Sequence, residues 1–186
     1  MKTNWKIDRA HTDIAFSARH MMITTVRGTF DQVEGELRLD ETDPRVTEGE
    51  IRVAVASLST GFDARDQHLR NADFFDAERH PWIVARIRSV EPRGERYAVN
   101  ADVTIRGLTR PVTFEAELNG IVPGMRGGRH AGFHLSATVD REAWGLNWNV
   151  ALESGGWLVG RDVRLEIDVA ADEVSAVASE TTRAVA

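Results

Sequence analysis

The residue types best suited to chemistry crowd into one stretch. Between Asp63 and Arg70 stand two carboxylates (Asp63, Asp66), one imidazole (His68) and two guanidiniums (Arg65, Arg70). On a helix, Asp66 and Arg70 share one side and Arg65 and Leu69 the next. Two readings follow. Arg65, Asp66, His68 and Arg70 line the mouth of a pocket and meet a polar or phosphate head, or an Asp66–Arg70 ion pair fixes the segment and Leu69 anchors it. His20 falls on the same side of an extended chain as Ile14, Phe16 and Ala18, so an inward imidazole would sit at a pocket rim. His11 and Asp13 also share a side. A metal site needs three or more ligands, and the six histidines show no metal-type spacing, so no metal and no cofactor are expected and His11 reads as structural. The glycine-rich loop Pro123–Gly128 with Arg126, Arg129 and His130 has two readings, an anion cradle or a mobile hairpin loop; it lacks a phosphate-loop signature, so the hairpin loop is expected. There is no cysteine and no Gly-x-Ser-x-Gly elbow.

The elements that position these residues are strands. Apolar and polar residues alternate through Val33–Leu39, Ile51–Val55, Val99–Ile105, Val112–Leu118, Phe133–Val139 and Val163–Val169. With Thr12–His20 and Pro81–Val90 this gives about eight strands. One helical insertion is visible, at about 63–80, broken near Asn71 and capped by Asp63. One short helical segment cannot cover the apolar face of so many strands, so the sheet packs on itself as a sandwich or a barrel. Long strands in even number favour the barrel, which leaves no exposed edge. The expected fold is all-β: an eight-stranded antiparallel lipocalin-like barrel over 1–174, followed by a tail at 175–186. Ile14, Phe16, Ala18, Phe30, Phe74, Phe75, Phe114, Phe133 and Trp144 are the candidate apolar pocket residues. Trp144, Trp148 and Trp157 either line the pocket or fill a barrel end.

Bulk properties exclude some partners. A net charge of −6 offers no basic surface for nucleic acid, and no apolar run is long enough for a membrane span, so no stable membrane insertion is expected. The start Met1–Asp8 shows no secretory h-region, which places the protein in the cytoplasm as an expectation.

Four segments carry a resemblance. They are Trp5–His20, with a Trp and an Asp ahead of two histidines; Gly28-Thr29-Phe30 with Gly35; Arg65–Asp76 closing on His80-Pro81-Trp82-Ile83; and Gly107–Val112 with Asp140–Leu146. In this order they resemble the YceI-like family of polyisoprenoid-binding, lipocalin-like proteins. The resemblance implies an eight-stranded barrel around a long apolar pocket for an isoprenoid-, quinone- or fatty-chain ligand, and pairing into a homodimer is compatible with it. Many members are periplasmic, which this sequence does not suggest. The reading is binding, storage or transport of such a lipid without chemistry. The alternative is an enzyme, such as an isomerase, cyclase or hydrolase, that acts on a lipid-like substrate with Asp63, Asp66, His68, His11 and His20 as acids and bases. A third reading is a barrel whose interior is closed by side chains.

Overall fold

The computed structural model describes residues 2–125, 127–153 and 155–174. The expected tail at 175–186 and Arg126 lie outside the described residues. The chain forms β1 (Thr3–Ile7), β2 (Asp13–His20), β3 (Thr24–Phe30), β4 (Val33–Leu39), β5 (Glu48–Ala54), β6 (Leu58–Ser59) and helix α1 (Asp63–Arg70). Then come β7 (Trp82–Arg93), β8 (Arg96–Ile105), β9 (Leu108–Pro123), β10 (Arg129–Asp140) and β11 (Val159–Glu173). Pairing runs β1-β4-β5-β7-β8-β9-β10-β11 and closes from β11 back to β1. The expected closed barrel of eight antiparallel walls is present, with one short helix.

The first three walls are each made of two strands. One edge of β11 holds β10. The other holds β2 between Val159 and Asp168, then β1 between Ala171 and Glu173. Likewise β3 pairs with β2 while β4 pairs with β1, and β6 pairs with β3 while β5 pairs with β4. The three breaks are tied together. Arg9 Nε donates to the Asp31 carbonyl at 3.3 Å, and Ser57 Oγ accepts from Gln32 N at 3.0 Å while donating to the Ala54 carbonyl at 2.7 Å. Each break changes which residues point inward, because side chains alternate with period two. Odd positions Trp5 and Ile7 are buried before the first break, and even positions Ile14 and Phe30 after it. Past the second break the buried positions are odd again, at Val33, Leu37 and Val53.

The helical insertion expected within 63–80 is present as α1 and stops at the expected break near Asn71, but no second helical piece follows. The helix ends at Arg70, and the chain from 72 to 79 forms turns. Asn71 is extended, and its side-chain oxygen accepts from Asp73 N at 2.8 Å, a local turn that competes with helix. Asp76 then takes a left-handed φ of 51°. Asp63 is not the cap either. Phe62 holds that position without a side-chain bond, and Asp63 lies in the first turn, where its charge suits the helix dipole.

One end of the barrel is closed. Trp5 is fully buried there, and the Arg129 guanidinium lies over its ring at 5.4 Å. Arg129 also forks onto Glu173 at 2.8 and 2.9 Å and reaches Glu41 at 2.6 Å. The glycine-loop arginine thus seals a floor and is not held free for an anion. The hydrogen bond from Arg129 holds the Glu173 carboxyl below its usual range.

Candidate functional site

The inner wall is apolar and only partly covered. Register places Phe133, Leu135, Ala137 and Val139 of β10 beside Val169, Ile167, Leu165 and Val163 of β11. Ile167 and Leu165 in turn face Ile14 and Phe16 of β2. In a filled core such residues are buried. Here all eight positions on β10 and β11 are half-buried, as are Phe16, Ala18, Ile83, Ala85 and Ile87. Most of them pack, partly buried, against the buried core clusters of the barrel interior. The adjoining walls of β1, β4 and β5 are packed more tightly, with Trp5, Val33, Leu37 and Val53 buried. Two inward glycines allow that packing. A Cβ on Gly28 would strike the Phe16 ring at 2.4 Å, and one on Gly49 would strike Leu37 at 2.5 Å.

The other end carries two covers. The first is α1 with the turns after it. Leu69 and Phe75 pack on the core, and Phe74 is buried. The α1 polar groups are largely spent on holding this cover. Thr60 N and Oγ1 donate to the buried Asp66 carboxylate. Arg65 Nε donates to Thr60 Oγ1 at 2.7 Å and Arg65 Nη2 to the Thr60 carbonyl at 3.1 Å. Arg70 Nη2 donates to the Leu58 carbonyl. Asp66 bonds to Thr60, and the Asp66–Arg70 ion pair is not formed. Thr60 comes near enough because β6 ends just before the helix, a tertiary fact that helical spacing does not carry. Arg70 Nε is buried and has no hydrogen-bond partner among the described residues.

The second cover is the 3-10 turn Arg141–Trp144 and the segment after it, up to β11. Trp144 fills the barrel end and donates its Nε1 proton to the Val103 carbonyl at 3.0 Å. Arg141 is only 4% exposed, and its guanidinium donates to the carbonyls of Leu146, Trp148 (3.1 Å), Gly160 (2.9 Å) and Val159 (3.5 Å). Burial lowers its affinity for the proton. Arg106 and Arg110 add bonds to the carbonyls of Gly145 and Ala143.

The two covers meet through aromatic rings. Trp148 lies edge-on to His68 at 4.5 Å and tilts against Phe74 at 5.4 Å, and His68 also stands edge-on to Phe74 at 5.1 Å. His68 Nε2 is held by Asp73 at 3.0 Å. His20, on the inward side of β2, is half-buried at this same end. Its hairpin turn places Met21 and Met22 at φ 50° and 63°, with Ile23 N donating to the His20 carbonyl at 3.2 Å. Left-handed backbone at two methionines costs about 1–2 kcal/mol each, and it leaves Ile23 77% exposed, while Trp157 is 55% exposed.

The expected pocket residues thus divide. Phe16, Ala18, Phe75 and Phe133 keep accessible surface, whereas Ile14, Phe30, Phe74, Phe114 and Trp144 are buried in the packed walls and covers. Spacing gave no hint of Trp148 as the bridge between the covers, or of Arg141 as the hub of the second. The one signal was their place in and beside the Asp140–Leu146 segment. Of the proposed acids and bases, His11 is exposed on the outside, 2.6 Å from Asp8, and Asp63 is exposed. Of two concavities, one of about 570 Å³ is lined by Arg96, Thr113 and Glu115 together with Phe114 and Ala137, and one of about 420 Å³ by Ser17, Arg27 and Thr29 together with Phe16 and Gly28.

On the outer wall of β10 and β11, His134 lies 2.9 Å from Asp168 and 3.3 Å from Glu166. The hydrogen bond to Asp168 raises the imidazole above its ordinary 6.5. A raised folded value means a stabilisation fully present below the unfolded value and lost as pH rises through the folded one. The melting temperature of His134→Gln is expected to fall below that of the parent at about pH 5.5 and to match it by about pH 9. A pH-independent difference would refute the assignment.

These features can be set beside known proteins. The sequence profile of the YceI-like domain matches residues 5–171. The chain belongs to the YceI-like family. A UPF0312 protein of Staphylococcus aureus (strain bovine RF122) is 35% identical over 165 residues, covering 88% of this chain and 94% of that protein. Among solved structures, BcnA of Burkholderia cenocepacia superposes with a TM-score of 0.74 at 19% identity, over 88% of this chain and 98% of that one. A polyisoprenoid binding domain from Saccharophagus degradans superposes with a TM-score of 0.64 at 12% identity, over 91% and 98%. Within this YceI-like barrel, the four sequence segments that carried the resemblance supply the floor tryptophan, the inward Gly28, the α1 cover, and Arg110 and Arg141 of the second cover.

Proposed function

We propose that this YceI-like protein binds and carries a long apolar lipid of isoprenoid or quinone type in the barrel lumen, without chemical change. The partly accessible apolar wall of β10 and β11 carries this reading. Burying ten methylenes there would supply about 8 kcal/mol of gross driving force. A structural neighbour described as a polyisoprenoid binding domain supports the ligand class. The arrangement of polar groups supports binding over catalysis. Asp66 and Arg65 are committed to Thr60, and His68 to Asp73.

The lipid enters between the two covers, past Trp148 and His68. Its oxygen-bearing head lies near His20 and Arg70, whose buried Nε proton would then gain an acceptor. Such an unmade bond otherwise costs about 1–3 kcal/mol. Exposed Met22, Ile23 and Trp157 suit transient contact with the lipid surface that supplies the cargo.

The test is titration of lipid-stripped protein with a long prenyl alcohol, followed by tryptophan fluorescence. Saturable one-to-one binding is expected, and a folded protein that shows none would overturn the reading. Trp148→Ala, which removes the bridge between the covers, is expected to speed dissociation about tenfold, equivalent to about 1.4 kcal/mol of barrier. An unchanged off-rate would place the path elsewhere.

A further inference from the structure

The break between β1 and β2 brings together side chains that are far apart in sequence. Asp8 lies at the break, and His130 and Asp172 are cross-strand partners on β10 and β11. One donor atom from each of Asp8, His130 and Asp172 lies within 4.8 Å of the others. His11 stands beside them, its Nδ1 2.6 Å from Asp8 Oδ2 and its ring edge-on to His130 at 6.3 Å. His130 Nδ1 lies 2.7 Å from Asp172 Oδ1. Two imidazole–carboxylate pairs therefore converge on one point of the outer wall.

We propose that Asp8, His130 and Asp172, completed by His11, bind a divalent transition cation of the zinc class. The donor set argues for that class. Imidazole nitrogen with carboxylate oxygen suits zinc, copper or nickel, whereas magnesium and calcium prefer oxygen alone. In a tetrahedral site with ligand bonds of about 2.0–2.2 Å, donors stand roughly 3.4 Å apart. The present spacing needs only small rotations of surface side chains to reach that. Asp8 is already positioned. Its Oδ1 accepts from Ala10 N at 2.9 Å, and its backbone N donates to the Ala170 carbonyl at 2.8 Å, which leaves Oδ2 toward the cluster. Lys6, opposite Asp172 across the β1–β11 pairing, is the nearest basic competitor in the register.

The place gives the ion a role. β11 changes partner from β2 to β1 just here, so a metal held by Asp8, His130 and Asp172 clasps the seam that closes the barrel. The reading is independent of what the lumen carries.

The experiment is titration of metal-stripped full-length protein with zinc by calorimetry, with cobalt as a spectroscopic probe and thermal unfolding as a second readout. One equivalent is expected to bind, cobalt is expected to show tetrahedral absorption, and zinc is expected to raise the melting temperature. His130→Ala and Asp172→Asn are expected to weaken binding at least tenfold, and both leave the Asp8 turn intact. His134→Ala, in the other histidine–carboxylate cluster of the same wall, is expected to bind as the parent does. Absence of stoichiometric binding, or equal binding by parent, His130→Ala and Asp172→Asn, would overturn the proposal.

Discussion

Replacing Ala137 by phenylalanine is expected to lower lipid affinity about a hundredfold, a loss of about 2.7 kcal/mol, while changing the unfolding free energy by less than about 1 kcal/mol. Ala137 sits on the inward side of β10 opposite Leu165 and is half-buried between Leu135 and Val139. If its Cβ points into free space, an added ring occupies room that the ligand needs and buries apolar surface of its own. If side chains already fill the interior, the same ring must displace them, at a cost of about 1–3 kcal/mol. Chemical denaturation and prenyl-alcohol titration of the one variant therefore separate an open barrel from a filled one. A destabilised variant with undiminished affinity would contradict the open lumen.

Replacing Arg141 by methionine is expected to destabilise the protein by about 3–5 kcal/mol. The methylene stem is kept, so the loss isolates the guanidinium. That group serves four carbonyls between Leu146 and Gly160, and among the described residues no carboxylate bonds to it. Its removal leaves buried acceptors unpaired and frees the segment that carries Trp148. At this chain length each kcal/mol moves the melting temperature by about 2–4 °C, so a fall of roughly 6–20 °C is expected. Arg141→Lys should recover little, because an ammonium cannot reproduce the planar fork. A melting temperature within a few degrees of the parent would show that the second cover holds without its hub.

The fold was largely legible because β7 to β11 are long and alternate cleanly. Where it was not, the reason is a change of phase. Trp5 and Ile7 point inward at odd positions and Ile14 and Phe16 at even ones, so a single period cannot run through Asp8–Thr12. The break at 31–32 separates Phe30 from Val33 in the same way, and so β1 and β3 do not emerge from alternation. Register shifts past Ile87 on β7 and at Gly132/Phe133 on β10 interrupt the later walls.

The candidate site was legible in part. Phe16, Ala18 and Phe133 lie on the inner wall as their alternation implies. Arg65 and Asp66 could not be read as anchors of a cover, because their partner, Thr60, comes close only through the turn between β6 and α1. The gathering of Asp8, His130 and Asp172 was hidden for the same kind of reason, since strand pairing across the barrel seam creates it. Spacing within the sequence reports local geometry, and these groups are long-range.

The central claim is an apolar lumen that holds a lipid, and native mass spectrometry of protein purified from cells without detergent tests it most directly. A mass above that of the chain that disappears on organic extraction is expected, with a prenyl- or quinone-type molecule recovered in the extract. Protein that flies at the bare chain mass, and after extraction and refolding still takes up no prenyl chain, would contradict it.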